Sequence, residues 1–230
     1  METNKSEVVA YYDALADRYD DDRFGNSYGR FIDAEERRIL DTIFGAGRPA
    51  PGERRLELAC GTGRLTDYAT HALDASAEML ARAKQRHDNV EFHNVPAEDT
   101  GFPDGRFDAV YGFHLMMHLE PELIAQILRE ARRILKPGGR LVFDIPSKQR
   151  RRLLRHRQSG WHGATELSCA DVQRLIGEDF EIRRTFGYLF LPIHHLPERL
   201  RRPLLRADYG LANSRLQAYS SYQVYELVKR

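Results

Sequence analysis

The sequence predicts an α/β fold, a doubly wound sheet with helices on both faces. Two observations predict it. From Glu53 to Pro146, apolar runs of strand length alternate with stretches of helical period, which is the pattern of a parallel sheet with helical crossovers. The first of those strands also runs directly into the glycine turn Gly61-Thr62-Gly63, where backbone can turn sharply and come close to a ligand.

Each element has its own signal. From Lys5 to Asp20, Val8, Val9, Tyr12, Leu15, Ala16 and Tyr19 recur at three- and four-residue spacings, which predicts a helix. A second helix is predicted over Gly29 to Phe44, with Ile32, Ile39, Leu40 and Ile43 among charged residues. "GAGRPAPGE" then breaks the chain. "RRLELAC" reads as the first strand, "LTDYAT" as a short helix and "HALDA" as a short strand. Ser76 is placed to cap the helix "SAEMLARAKQRH". "VEFHNV" and "FDAVYGF" are strands, Pro121 opens the next helix, "KPGG" ends it, and "RLVFDIP" is the fifth strand. "DFEIRRTFGYLFLP" and "AYSSYQVYELVKR" hold two late strands, with a helix over "PERLRRPLLRADYGLA" between them.

The crossover after the glycine turn is short. Asp74 follows Gly63 by eleven residues, where a dinucleotide fold spends about 20. A six-residue helix rises roughly 9 Å and a four-residue strand returns over roughly 13 Å, so the pieces just fit. Arg64 to Thr70 is therefore predicted as a helix of at most about two turns. His71 would turn the chain and Ala72-Leu73-Asp74 would form the strand.

Composition narrows the function. The chain has 230 residues, is 42% apolar and carries a net charge of +1, which suits a single domain and gives no global field for nucleic acid. The basic stretches Lys148 to Arg157 and Arg199 to Arg206 fit a phosphate, an anionic substrate, a membrane surface or a solvated helix face. Cys60 and Cys169 form no CxxC pair, so no metal site is expected. The N-terminus has no apolar signal core and no run spans a bilayer, so a cytoplasmic protein is expected. Thr66 replaces the third glycine of G-x-G-x-x-G, and no Lys-Ser/Thr pair makes a P-loop.

Six pieces in order, "YYDALADRYD", "ELACGTGR", "LDASAEML", "AEDTGFPDGRFDAVY", "FHLMMHL" and "LKPGGRLVFD", resemble the class I S-adenosylmethionine-dependent methyltransferases of small-molecule type, over Val8 to Pro146. The resemblance implies a Rossmann-like seven-stranded sheet with an antiparallel final strand and an N-terminal helical lid. It divides a single domain into a lid (1–45), a cofactor-binding core (53–146), a substrate-side region (147–213) and the final strand (214–230). It implies S-adenosylmethionine as cofactor and S-adenosylhomocysteine as product.

The same resemblance assigns residues. Glu57 would accept from the ligand's ammonium, amides near Gly61 and Gly63 would meet its carboxylate, and Asp74 would accept both ribose hydroxyls. Ala59, Cys60, Ala75 and Met79 would complete that wall. Tyr12, Tyr19 and Arg23 would touch the carboxylate or close over the sulfonium. Pro96-Ala97 stands where the family often has Asp-Ala, so Ala97 N–H is left to the adenine ring and Glu98 or Asp99 to its amino group. Gly112 and Phe113 would meet the amino acid end. His114 and His118 would line the methyl-transfer site as candidate catalytic bases, alignment alone being the other reading.

No Asn/Asp-Pro-Pro-Tyr follows the fourth strand and Cys60 is not placed as a cytosine nucleophile, so nucleic acid is not the expected acceptor. Trp161, His162, Tyr188, Phe190, His194 and His195 are candidates for an acceptor pocket. The expectation is methyl transfer to an oxygen or nitrogen of a small metabolite by a monomer or homodimer. The alternatives are a lipid-like or anionic acceptor at a membrane surface, and a non-catalytic cofactor-binding protein.

Overall fold

Seven strands form one sheet in the order β3-β2-β1-β4-β5-β7-β6. The computed structural model describes residues 5–155, 163–193, 196 and 198–230. Strands β1 (Arg55–Leu58), β2 (His71–Leu73), β3 (Glu91–His93), β4 (Phe107–Gly112) and β5 (Leu135–Pro146) run parallel. β7 (Tyr222–Lys229) lies antiparallel between β5 and β6 (Phe180–Tyr188). The helices are α1 (Lys5–Leu15), α2 (Tyr19–Phe24), α3 (Ser27–Phe44), α4 (Ala77–Arg86), α5 (Pro121–Ile134), α6 (Lys148–Leu153), α7 (Cys169–Ile176) and α8 (Glu198–Ala212).

The two-residue period of the strands sends neighbouring side chains to opposite faces. Leu56, Leu58, Val110, Leu141 and Phe143 pack with Ile124, Ile127 and Leu128 of α5 and Val172 and Ile176 of α7. Their sequence neighbours Tyr111 and Val142 meet Ile32, Ile39, Leu40 and Ile43 of α3 on the other face. Ala72 meets Leu80 and Ala83 of α4. Each buried Leu or Ile contributes roughly 1.5–3 kcal/mol, so this two-sided burial holds helices on both faces, as the sequence predicts. Ser76 caps α4 by accepting from Met79 N, and Asn26 caps α3 by accepting from Tyr28 N and Gly29 N.

Four predicted elements differ. The helix expected over Lys5 to Asp20 breaks into α1 and α2, with Ala16 N and Arg18 N bonded three residues back. The break lets three acids reach separate targets: Asp13 accepts from Ser76 Oγ, Asp17 pairs with Arg82, and Asp20 pairs with Arg86 and accepts from Thr62 Oγ1. The crossover keeps even less helix than expected, a single 3-10 turn at Thr66–Tyr68. β2 starts one residue early, because His71 pairs with Leu56, and Asp74 falls just past its end. "KPGG" does not stand outside the fifth strand: β5 begins at Leu135, bulges, and resumes its register at Arg140, with Gly138 at φ 71°. α6 falls on the basic stretch for which a helix face is one reading, and α7 has no counterpart in the sequence reading. Among the described residues, no helix is long and apolar enough to cross a membrane.

Candidate functional site

The carboxyl ends of β1, β2 and β4 open onto a cavity of about 990 Å³. Two non-glycine residues with left-handed backbone flank it, Ala59 (φ 50°) after β1 and His114 (φ 56°) after β4. That conformation is uncommon outside glycine and needs local support. For His114 the support is a hydrogen bond of 2.6 Å from its backbone N to Asp144 Oδ1.

Asp74 sits at the centre of one wall. Its Oδ2 accepts from Gly61 N at 2.8 Å and its Oδ1 from Ser76 N at 2.8 Å. Those two amides fix the carboxylate and leave its remaining lone pairs for a ligand. Burial pushes its pKa up, against these two hydrogen bonds. Gly63, at φ 84°, lets the loop lie on α4, because a Cβ there would be 3.1 Å from Ala83. The loop is gripped from outside: Arg64 pairs with Asp33 (2.7 Å) and Glu36, and Arg37 donates to Arg64 O.

Glu57 lies behind this wall, 4% exposed, with Thr66 Oγ1 donating to it. Burial pushes its carboxyl up to about 8, so it holds a proton at neutral pH.

His114 lines the cavity between two buried carboxylates. Its Nε2 is 2.6 Å from Glu36 Oε1 and its Nδ1 3.4 Å from Asp144 Oδ2. Tyr188 Oη donates toward the same two oxygens, at 3.2 and 3.1 Å. Burial alone would lower the imidazole pKa, but Glu36 and Asp144 outweigh it and hold it above its ordinary value. Burial likewise raises Glu36, yet His114 and Arg64 outweigh it and take its carboxyl down to about 2. Both ring nitrogens face carboxylate oxygens, so when the ring is protonated it has no lone pair to offer an acceptor.

His118 is also engaged. Gly163 N donates to its Nδ1 at 2.9 Å, which places the ring proton of the neutral form on Nε2, 3.2 Å from Tyr12 Oη. Nε2–H then donates to Tyr12, whose own hydroxyl proton is left to point elsewhere. Burial raises the Tyr12 pKa, so that hydroxyl remains a donor. To act as a base, His118 would have to break its bond to Gly163.

Several other expected residues line the cavity: Tyr19, Ala59, Gly61, Ala75, Met79 and Phe113. Ala97 and Glu98 line it too, and the exposed Asp99 does not. Cys60, Gly63 and Gly112 lie behind the lining surface, and Arg23 lies outside it, near Tyr11. Tyr188 is buried in the His114 cluster and Phe190 does not reach the cavity. Trp161, His162, His194 and His195 lie outside the described residues. Sequence reading missed Leu115, Leu119, Leu123 and Gln126, which come from the segment between β4 and α5 and from the first turns of α5. It also missed Glu36 and Asp144. Their signal was a charged residue at an apolar position, Glu36 on the buried stripe of α3 and Asp144 within "LVFDIP".

A sheet of this order, with one antiparallel strand and a cavity across the ends of β1, β2 and β4, defines the class I methyltransferase architecture. Residues 56–143 match the family model described as a methyltransferase domain. A demethylmenaquinone methyltransferase of Renibacterium salmoninarum is 35% identical over 149 residues, 62% of this chain and 60% of that protein. A solved structure described as a possible histamine N-methyltransferase, from Thermotoga maritima, superposes with a TM-score of 0.63 at 21% identity, covering 92% of this chain and 99% of the other. The [4+2]-cyclase SpnF superposes with a TM-score of 0.68 at 18% identity, covering 100% and 97%. The match to the methyltransferase-domain model covers residues 56–143, and the sheet and helices share the fold of S-adenosylmethionine-dependent methyltransferase structures. It spans 60% or less of the first three curated relatives it matches.

Proposed function

We propose that the chain is a methyltransferase, a single domain over residues 1–230, that moves a methyl group from S-adenosylmethionine to an oxygen or nitrogen of a small-molecule acceptor. The observation that carries this reading is Asp74, fixed by Gly61 N and Ser76 N on the cavity wall, where a vicinal diol can reach both oxygens. Bound S-adenosylmethionine would supply an electrophilic methyl carbon. The chain's own residues do the rest. Asp74 holds the ribose and Glu98 accepts from the adenine amino group. Gly61 N is given to Asp74 and Gly63 N to Cys60 O, so the ammonium of the amino acid end falls to the buried Glu57, reached through water. Tyr12 and Tyr19 close over the sulfonium, whose charge an aromatic face favours by about 0.5–2 kcal/mol.

Both histidine rings are held by other partners, so in-line alignment carries the rate. His118 is a positioning residue that ties α1 to the segment after β4. His118→Asn is expected to raise KM for the cofactor and to change kcat less than about tenfold, with an unaltered pH profile. A true base would cost about 10²–10⁴ and shift the profile near roughly 6.5. Single-turnover rates across pH separate the two.

Glu57 gives a second test. A carboxyl protonated up to about 8 must release that proton to pair with an ammonium. Affinity for S-adenosylhomocysteine is therefore expected to rise as pH climbs toward 8, with proton release visible by calorimetry in buffers of different ionisation heat. Glu57→Gln should lose that component while the ligand's own titration stays.

A relative described as a demethylmenaquinone methyltransferase supports a small-molecule or lipid-like acceptor. The two cysteines, both unpaired, suit a reducing cytoplasm. The cyclase among the structural neighbours means that fold alone does not fix the reaction. Turnover of labelled S-adenosylmethionine against phenolic, quinol and amine acceptors tests it. Absence of S-adenosylhomocysteine binding would end the reading. Binding without turnover of any acceptor would favour a non-catalytic protein.

A further inference from the structure

We propose that the face built by α6, α8 and the 3-10 turn Gln217–Tyr219 docks on an anionic lipid bilayer. α6 and α8 both pack on that turn, so the three elements form one continuous surface. Seven large apolar side chains are exposed among the described residues, and six of them lie here. Leu153 and Leu154 at the end of α6 are the most exposed, at 68% and 62%. Leu205 and Tyr209 of α8 and Leu216 and Tyr219 at the turn complete the set.

The charge on this surface is one-sided. Residues 148–155 and 198–219 carry ten basic residues and two acidic ones, Glu198 and Asp208, in a chain whose net charge is +1. Asp208 is buried and accepts from Leu191 N. Not every basic side chain faces outward. Lys148 pairs with Asp171, Arg150 donates to Phe190 O and Tyr219 O, and Arg151 donates to Gly163 O. Arg152, Arg155, Arg206 and Arg215 are exposed and make no ion pair among the described residues. The outward side of α6 is thus an Arg-Leu-Leu-Arg tip.

A solvated helix face would be polar throughout, and this one ends in two adjacent leucines. A second copy of the chain would set arginine against arginine across a two-fold axis. A phosphate-tracking surface for nucleic acid would not place leucines at its most exposed point. An anionic bilayer matches both parts: apolar side chains enter the headgroup boundary while arginine stems lie along it and their heads meet lipid phosphates. The surface also adjoins the cavity. Arg151 holds Gly163 O, and Gly163 N donates to His118 on the cavity wall. The route of an acceptor from the bilayer to the cavity rests on the proposed function; attachment to the bilayer does not.

The test is co-sedimentation of the full chain with phosphatidylcholine vesicles, with and without phosphatidylglycerol. Binding is expected only with phosphatidylglycerol, and it should weaken as salt rises. Arg152→Gln and Arg155→Gln should each cost about fivefold in vesicle affinity. The double variant Leu153→Glu, Leu154→Glu should abolish binding. All these positions are exposed and none lines the cavity, so S-adenosylhomocysteine affinity should stay unchanged and reports an intact fold. If that affinity is absent in every protein, the functional reading fails while vesicle binding is still judged on its own. The proposal is overturned if wild type ignores anionic vesicles at low salt, or if the leucine variant binds them as well as wild type. It is also overturned if light scattering shows a dimer that the leucine variant dissociates and no vesicle binding occurs.

Discussion

His114→Leu is expected to destabilise the fold by about 3–5 kcal/mol, because it removes the imidazole that two buried acids, Glu36 and Asp144, both face. Glu36 would keep Arg64, but Asp144 would keep only Tyr188 Oη and the backbone N of residue 114. Urea denaturation reads the loss as a lower midpoint at an unchanged slope. An unchanged midpoint would show that the cluster contributes nothing. The wild-type pH dependence has a defined sign. The folded-state pKa of His114 is raised, so its contribution is fully present below the ordinary histidine value and is lost as pH rises through the folded value. The folded-state pKa of Glu36 is lowered to about 2, so its contribution is present above the ordinary glutamate range and is lost as pH falls toward about 2. Asp144 works against both. Burial raises its pKa despite His114, and its ionised form is disfavoured in the folded protein. The His114→Leu variant should lose the alkaline limb of the curve.

Asp74→Ala is expected to weaken S-adenosylhomocysteine binding at least about tenfold. Two ribose hydroxyls would lose a charged acceptor, and a charge-assisted hydrogen bond contributes about 1.5–3 kcal/mol. The variant also frees the amides of Gly61 and Ser76. Thermal melting must therefore accompany the calorimetry, so that loss of binding is not confused with loss of the loop. A folded variant with unchanged affinity would remove Asp74 from the site.

The core of the fold was legible because strand and helix periods differ and each strand was bounded by a breaker. The cofactor side was legible because one turn and one acid, Gly61 and Asp74, stand in fixed relation at the ends of neighbouring strands, and those ends survive a shortened crossover. What could not be read was pairing over long separations. Glu36 and Asp144 lie 108 positions apart in the chain and meet through His114 and Tyr188. Nothing local tells an imidazole held by two acids from one that faces an acceptor. The tautomer of His118 depends on Gly163, 45 positions away. The break between α1 and α2 was hidden because apolar spacing continues through it. What fixes the break is where Asp13, Asp17 and Asp20 find partners on other elements.

Those three acids give the N-terminal segment a particular character. Each of its attachments to α4 and the glycine loop is a separate polar contact, and the arginine pairs with Asp17 and Asp20 are substantially exposed on the arginine side. Exposed pairs contribute only about 0–1 kcal/mol each and are weakened by salt. The segment over the cavity is therefore a seam of small stitches on a rigid body. It can open one contact at a time while the hydrophobic core beneath stays closed. Exchange of ligand with solvent is then expected to quicken with ionic strength more than unfolding of the sheet does, since the sheet is held by apolar burial.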